Sequence, residues 1–385
     1  MSTPRTFRIG DHGHAVAEVR AKLAALGLLP PEHHPGGFAG AASAEYDESV
    51  DQAVREFQQS RGITVDGIVG PMTYRALEEA RWRLGDRILS YVPTRMLGGD
   101  DVATLQQRLL EMGFDCGRVD GIFGVETEQA LREFQRNVGL LPDGTCGPST
   151  LKALSQLSRT VVGGRPHAMR ESEAIHRAGP TLTGKLVIVD PGHGEAEGGV
   201  AGGGLDEGAV VYDLAARVEG RLTATGGIAF LTRGPDGGLD EVERASFANA
   251  AGADLVISLH LDASSSPAAS GVATYYYGND RYGHHSAVGE QFAELVQAEI
   301  VARTDLRDCR THAKTWDLLR RTKMPCVRIE AGYLTNPGDA SRLADPAFRD
   351  TLAEAIVAAV ARLYLPPDLD TGVGTLRVPE PSALR

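Results

Sequence analysis

The chain has 385 residues, a formal net charge of −12, 42% hydrophobic residues and 23% charged residues. That length supports two or three domains with separate cores, and the composition is that of ordinary soluble globular protein. The acidic balance argues against nucleic acid or an anionic membrane as main partner, and no run approaches the roughly 20 apolar residues of a transmembrane helix.

The N-terminus, MSTPRTFRIGDHGHAV, lacks the apolar stretch of about 7–15 residues that marks a secretory signal, so a cytoplasmic location is the expectation. Cys116, Cys146, Cys309 and Cys326 show no paired short spacing. Buried free thiols are therefore expected, in place of a zinc ribbon or a disulfide framework.

An internal repeat organises the first half. Gln52 to Leu77 aligns without a gap on Gln129 to Leu154, keeping REFQ, a DG pair, GP, a threonine and AL in register. Upstream, Val16 to Gly27 matches Val102 to Gly113, and the first copy carries extra residues in the Pro/Gly/Ala-rich stretch PPEHHPGGFAGAASAE. Val16, Val19, Leu23 and Leu26 share one helical face, as do Val102, Leu105, Leu109 and Met112. Val54 with Phe57, and Leu131 with Phe134, begin a second helix in each copy. The DG pair supplies a turn, and Pro71 suits the first turn of a third helix. Both copies resemble the three-helix peptidoglycan-binding domain appended to bacterial cell-wall hydrolases, over about residues 8–80 and 97–157. Residues 81–96 connect them, and residues 158–183, richer in Gly, Pro and charge, read as an interdomain linker.

The second half alternates strands and helices, a βαβ pattern. Leu186 to Val189 is a continuous apolar run, read as a strand buried on both faces and broken by Pro191 and Gly192. His193 then sits on the loop past a strand's carboxyl end, where open α/β sheets place their ligands. On its own it reads as an ordinary polar loop residue sooner than as a metal ligand or a general base. Residues 198–208 form a glycine-rich loop with no nucleotide-binding pattern, and Glu207 opens the helix that follows. Ile228 to Thr232, Asp254 to Leu259, Thr274 to Tyr277 and Cys326 to Ile329 are further strands, with His260 and Glu330 at the ends of two of them. His193, Glu207, His260 and Glu330 thus gather at one sheet edge. Two imidazoles and a carboxylate make a catalytic zinc set with one position left for water, and a further carboxylate can carry the proton to the leaving amine.

This half resembles the zinc-dependent N-acetylmuramoyl-L-alanine amidases of the amidase-3 family. The resemblance rests on VDPGHG (189–194), Glu207, LTR (231–233), ER followed by AN (243–250), ADLVISLHLDA (253–263), GVATYYYG (271–278) and MPCVRIEAGYLTN (324–336), within residues 184–365. It implies zinc ligands at His193, Glu207 and His260 and a catalytic glutamate at Glu330. It also implies cleavage of the amide between N-acetylmuramic acid and L-alanine in peptidoglycan or its precursors. The expected architecture is multidomain: two small three-helix modules, then an α/β domain with a mostly parallel central sheet flanked by helices.

Two features depart from a working wall enzyme. Arg328 stands two residues before Glu330 where the family carries an apolar residue, and strand alternation puts both side chains on one face. A cation there would hold Glu330 ionised; pairing of Arg328 with another acid is the alternative. The missing signal is the second, and the architecture of two binding repeats, a leaderless amidase domain and a polar tail resembles an actinobacterial subgroup of the family. That resemblance implies a cytoplasmic regulator of precursor synthesis, partnering the UDP-N-acetylglucosamine enolpyruvyl transferase under Ser/Thr kinase control. Residues 366–385 are Pro/Gly-rich and read as a disordered tail, with Thr371 and Thr375 as candidate phosphorylation sites.

Overall fold

The computed structural model describes residues 6–30, 44–157, 166–193, 199–279 and 283–377. Residues 1–5, the extra stretch of the first repeat (31–43), residues 158–165 of the linker, 194–198 after His193, 280–282 and the last eight residues lie outside them. The chain divides into two compact units, one running to His167 together with Asn279–His284, the other holding Ala168–Gly278 and the rest.

The first unit contains the repeats. Helices α1 (His14–Ala25), α2 (Glu48–Arg61) and α3 (Pro71–Ala80) are followed by α4 (Asp100–Glu111), α5 (Val125–Asn137) and α6 (Pro148–Gln156). Pro71 and Pro148 occupy the first turns of their helices, where a missing N–H costs nothing. The anticipated stripes close two cores. Val16, Val19, Leu23, Val54, Phe57 and Leu77 pack in one, and Val102, Leu105, Leu109, Leu131, Phe134 and Leu154 in the other. Each such side chain contributes about 1.5–3 kcal/mol on burial. Arg61 joins the copies by a two-pronged bond to Asp100, at 2.6 and 2.9 Å.

A finer repeat appears beneath the one visible in the alignment. Gln58, Gln106 and Gln135 are buried, and each amide nitrogen donates to an aspartate, a loop carbonyl and a threonine hydroxyl: Asp66, Ile68 and Thr73; Asp120, Ile122 and Thr127; Asp143, Thr145 and Thr150. Each amide oxygen accepts the N–H of the glycine after the aspartate. The loops share the spacing Asp-Gly-x-x-Gly-x-x-Thr, so three loops, not two, are held by one circuit. A side-chain amide replaces the backbone pairing that a loop lacks. In the first copy Arg20 stands at the position of Gln106 and donates instead to Glu45 O and Asp47.

The second unit is α/β. It contains strands β1 (Leu186–Pro191), β2 (Ala201–Gly202), β3 (Leu205–Asp206), β4 (Ile228–Leu231), β5 (Leu255–Asp262), β6 (Val272–Asn279), β7 (His284–His285), β8 (Asp308–Lys314) and β9 (Cys326–Tyr333). Its helices are α8 (Glu207–Ala224), α9 (Glu241–Ala251), α10 (Ala287–Arg303), α11 (Asp317–Arg321), α12 (Pro337–Ala344) and α13 (Pro346–Tyr364). The central order is β4-β1-β5-β9-β6, parallel except for β6 against β9, and β8 runs parallel beside β6. One face packs Val187, Val189, Ile257, Leu259, Val327 and Ile329 against α8, α10 and α13, forming the main core. The opposite face carries Asp190, Ser258, His260, Arg328 and Glu330, because the ladder partners Asp190–Ser258, Ser258–Arg328 and His260–Glu330 share a side. β1 feeds β4 on one side and is flanked by β5 on the other, so its end lies at a switch point of the strand order.

Several sequence expectations are corrected. His260 does not end its strand; β5 continues to Asp262, and β9 runs three residues beyond Glu330. Part of the glycine-rich loop is a two-strand hairpin, β2–β3, turned by Gly203 and Gly204 at φ of 59° and 78°, values that favour glycine. The linker contains helix α7 (Pro166–Arg177), and its Glu171 accepts from the Ser286 hydroxyl.

The first part of the tail is also not disordered. Residues 366–377 lie along a buried charge cluster in which Glu299 is held by Arg362 and Arg303, at 2.8 and 2.9 Å. Asp370 takes two bonds from Arg362, Gly374 N–H points at Glu299, and Arg303 donates to the carbonyl of Leu376. Buried arginines leave donors that must be satisfied, and this segment supplies the acceptors. Thr371 and Thr375 are exposed, with hydroxyl oxygens 2.8 Å apart. The cysteines are free; three are buried and Cys309 is partly exposed.

Candidate metal centre and catalytic carboxylate

Three elements converge on His260. The turn after β1 brings His193, the first residue of α8 is Glu207, and β5 carries His260 itself. One ligand atom from each of these side chains lies within 4.8 Å of the others. Glu207 Oε1 is 3.5 Å from His193 Nε2 and 3.5 Å from His260 Nδ1, and the two rings cross at 86°.

Local backbone chemistry builds this convergence. Asp206 caps α8 by accepting from Ala209 N–H, which fixes Glu207 at the helix mouth. Glu207 Oε1 accepts from Leu261 N–H at 2.9 Å and Oε2 from Val200 N–H at 2.8 Å, so its position is set by backbone. His193 takes a left-handed φ of 54°, a conformation that costs a side-chain-bearing residue about 1–2 kcal/mol. Gly192 passes directly over the His260 ring, where a Cβ would meet the ring atoms at 2.1–2.4 Å. Arg233 braces this turn by donating to the carbonyls of Pro191, Gly192 and Gly208. Beneath it, buried Asp190 accepts from Ser258 and Thr232 and lies 3.6 Å from Arg244.

Burial dominates the electrostatics. It pulls His260 well below the usual imidazole range, so the ring is neutral, as a metal ligand must be. It pushes Glu207 above the usual carboxylate range, against the pull of its two backbone bonds. The donor set fits a zinc ion: two imidazoles and a carboxylate, with both buried ring nitrogens of His260 lacking a hydrogen-bond partner among the described residues.

Glu330 is buried beside this group, the ladder neighbour of His260. Arg328 donates to its Oε1 through Nε at 2.8 Å, while Oε2 is buried with no hydrogen-bond partner among the described residues. Arg328 also reaches Glu241 on α9 at 3.1 Å, so the two alternatives raised by the sequence are both realised. Arg328 pulls Glu330 toward the ionised form, as expected, but burial outweighs it and pushes the carboxyl up to about 7.

Sequence reasoning placed His193, Glu207, His260, Glu330 and Arg328 at the site, and the structure brings these five together. Thr371 and Thr375 lie on the segment held by Glu299 and Arg362. Roles for Arg233, Arg244 and Asp190 were missed, although LTR, ER and VDPGHG were noted as motifs. Glu241 carried no sequence signal.

An N-acetylmuramoyl-L-alanine amidase family model matches residues 187–362, and a peptidoglycan binding domain model matches residues 12–77 and 98–154. The chain is 47% identical over 390 residues to N-acetylmuramoyl-L-alanine amidase CwlM of Mycobacterium tuberculosis, covering 99% of this chain and 96% of that protein. It is 32% identical over 200 residues to N-acetylmuramoyl-L-alanine amidase LytC of Bacillus subtilis, covering 52% of this chain and 39% of LytC. Among solved structures, the amidase AmiC2 of Nostoc punctiforme aligns at 31% identity and a TM-score of 0.43, over 47% of this chain and 97% of that one. With its helical repeats, its mostly parallel sheet and this near full-length match, the chain belongs to the amidase-3 family of N-acetylmuramoyl-L-alanine amidases, in the form that carries N-terminal peptidoglycan-binding repeats.

Proposed function

We propose that the chain hydrolyses the amide between N-acetylmuramic acid and L-alanine in peptidoglycan or its muramyl-peptide precursors. Zinc is the cofactor, His193, Glu207 and His260 are its ligands, and Glu330 is the proton carrier. The observation that carries this reading is the neutral, buried His260, its ring nitrogens without hydrogen-bond partners among the described residues, in a three-ligand cluster beside a buried carboxylate. Bound zinc would polarise the scissile carbonyl and acidify the attacking water.

The residues of the chain divide the remaining work. Glu330 accepts a proton at Oε2, the oxygen that Arg328 leaves open, and returns it to the departing alanine nitrogen. Arg328 fixes the carboxyl through Oε1, and Glu241 fixes Arg328. Glu207, locked by two backbone bonds, keeps the two imidazoles in place. Zinc content of the metal-replete chain, and of His193→Ala and His260→Ala, tests the ligand set. One zinc per chain is expected, with little in either variant; equal zinc in all three refutes it. Release of free alanyl amino groups from muramyl peptides tests the reaction.

A second reading is regulatory, in which the chain acts in the cytoplasm on a precursor-synthesis enzyme under a Ser/Thr kinase. The segment carrying Thr371 and Thr375 favours it. A phosphate on either exposed hydroxyl would add a charge of about −1.5 to −2 to a segment held by Asp370 and Glu299, which carry the same sign. Cell fractionation and binding to purified enolpyruvyl transferase, before and after phosphorylation, test it. Location outside the membrane, or binding that ignores phosphate, refutes it.

A further inference from the structure

Beyond His260–Glu330, toward the carboxyl ends of β5 and β9, the next ladder pair is Asp262–Tyr333. The register shifts between the two pairs, which sets Tyr333 in place of Gly332 beside Asp262. Alternation along β5 puts Asp262 on the face of His260, while Leu261 between them is buried in the core. Asp262 is half-buried at the outer lip of the site, the edge where open α/β sheets receive ligands. It lies outside the three-ligand group, but its charge adds to the upward push of burial on both Glu330 and Glu207. Its Oδ1 accepts the N–H of Ala263 at 2.7 Å, and burial together with this carboxylate holds the Tyr333 phenol above its ordinary range. Neither of those partners is charged. Glu330 has Arg328 and Glu207 faces two imidazoles, whereas Asp262 has no cation against it among the described residues. A carboxylate accepts about four hydrogen bonds, so acceptor capacity remains on the solvent side. Beside it, Glu330 is 5% exposed and its Oε2 lacks a hydrogen-bond partner among the described residues, an oxygen left for the reacting group.

We propose that Asp262 receives the ammonium of the L-alanyl peptide that amide cleavage releases, which makes it a product-binding and specificity residue of the site. The inference rests on the amidase reading and deepens it by giving the leaving group a seat. Water adds its oxygen to the carbonyl carbon and the C–N bond breaks, with the bonding pair going to nitrogen. Glu330 delivers the water's first proton to that nitrogen, and the second, lost by the new carboxyl group, makes the amine an ammonium. Positive charge thus develops on the peptide side as the bond breaks, beside an acid that has no cation of its own. An interaction made by the charged leaving group and absent in the neutral amide favours cleavage over ground-state binding.

The test needs no turnover. The full-length zinc-loaded chain is titrated by calorimetry with L-alanyl-D-glutamate and with propionyl-D-glutamate, the same molecule without the amino group. The amine is expected to bind about tenfold tighter at low salt, the size of one charge-assisted hydrogen bond. Asp262→Asn, which keeps an oxygen for the Ala263 N–H, is expected to bring the two ligands within about twofold of each other. Thermal unfolding confirms that the variant folds, and Asp262→Ser takes its place if it does not. Tyr333→Phe removes the phenol and leaves the carboxylate, so the preference should stay near about tenfold. Equal affinity in the parent, a preference that survives in the folded Asp262 variant, or its loss in Tyr333→Phe overturns the proposal. A parent chain that shows the preference but no turnover of muramyl peptides would overturn the amidase reading and leave the ammonium-binding role of Asp262 in place.

Discussion

Gly192→Ala tests whether the turn after β1 sets the His260 imidazole for metal binding. The added Cβ would lie 2.1 Å from Cε1 of the ring and 2.4 Å from each ring nitrogen. Carbon–carbon contact begins near 3.5 Å, so the ring or the turn must retreat by roughly 1.4 Å. Gly192 has no left-handed φ, which leaves this clash as the whole perturbation. Retreat is resisted on both sides: His260 is 2% exposed on a strand between β1 and β9, and the turn is braced by Arg233. Overpacking of this kind costs about 1–3 kcal/mol, a fall of roughly 2–12 °C in Tm for a domain of this size. A displaced ligand should also lose about 10–100-fold in metal affinity. Zinc competition against a chromophoric chelator, with thermal unfolding of the metal-free and loaded chain, reads both effects. Zinc affinity within twofold of the parent, even with a lowered Tm, would refute the assignment of His260 as a ligand placed by this turn.

Glu330→Gln should retain zinc and lose about 10²–10⁴-fold in turnover of muramyl peptides; a loss under tenfold would point to another proton carrier. Arg328→Leu removes the charge that opposes the effect of burial on Glu330, so the carboxyl should rise further above about 7. Because the base must be ionised to accept a proton, the acid limb of the kcat/KM profile should move to higher pH. A limb that stays put or moves to lower pH contradicts this sign. Ending the chain at Leu365 strips Arg362 of Asp370 and Glu299 of the Gly374 N–H. Loss of those charge-assisted bonds should cost about 1–3 kcal/mol by denaturant unfolding, and an unchanged midpoint would show that the segment is not held as described.

The sequence revealed what depends on periodicity and on short motifs. The helical stripes of the repeats, the buried strand Leu186 to Val189 and the placement of His193, Glu207, His260 and Glu330 at one edge all follow from local pattern and strand order. What stayed hidden depends on partners far away in the chain. The glutamine circuits stayed hidden: the aligned REFQ and DG motifs show the residues of two of them but not their bonds, and Gln106 and Asp120, 14 residues apart, lie outside that block. β8 was missed because DCRTHAK has no apolar alternation; it is a strand through its pairing with β6. The order of residues 366–377 was missed because their Pro/Gly composition gives no sign of the buried Glu299 they cover. The pull of Arg328 was overweighted because sequence shows a charge and its spacing, and does not show the desolvation of its neighbour.

Helix α9 is fastened across the sheet by two charged contacts one turn apart, Glu241 to Arg328 and Arg244 to Asp190. Its start is secured by a capping box between Asp240 and Glu243, and its end by a left-handed Gly252. With both termini closed, the helix has little reason to fray inward from either end, and its opening becomes one cooperative event governed by those contacts. Anything that draws Arg328 away from Glu241 lowers the opening energy of the whole helix. Amide protons of Arg244 to Ala248 would then exchange faster, making α9 a reporter of the Glu241–Arg328 contact through its own local unfolding.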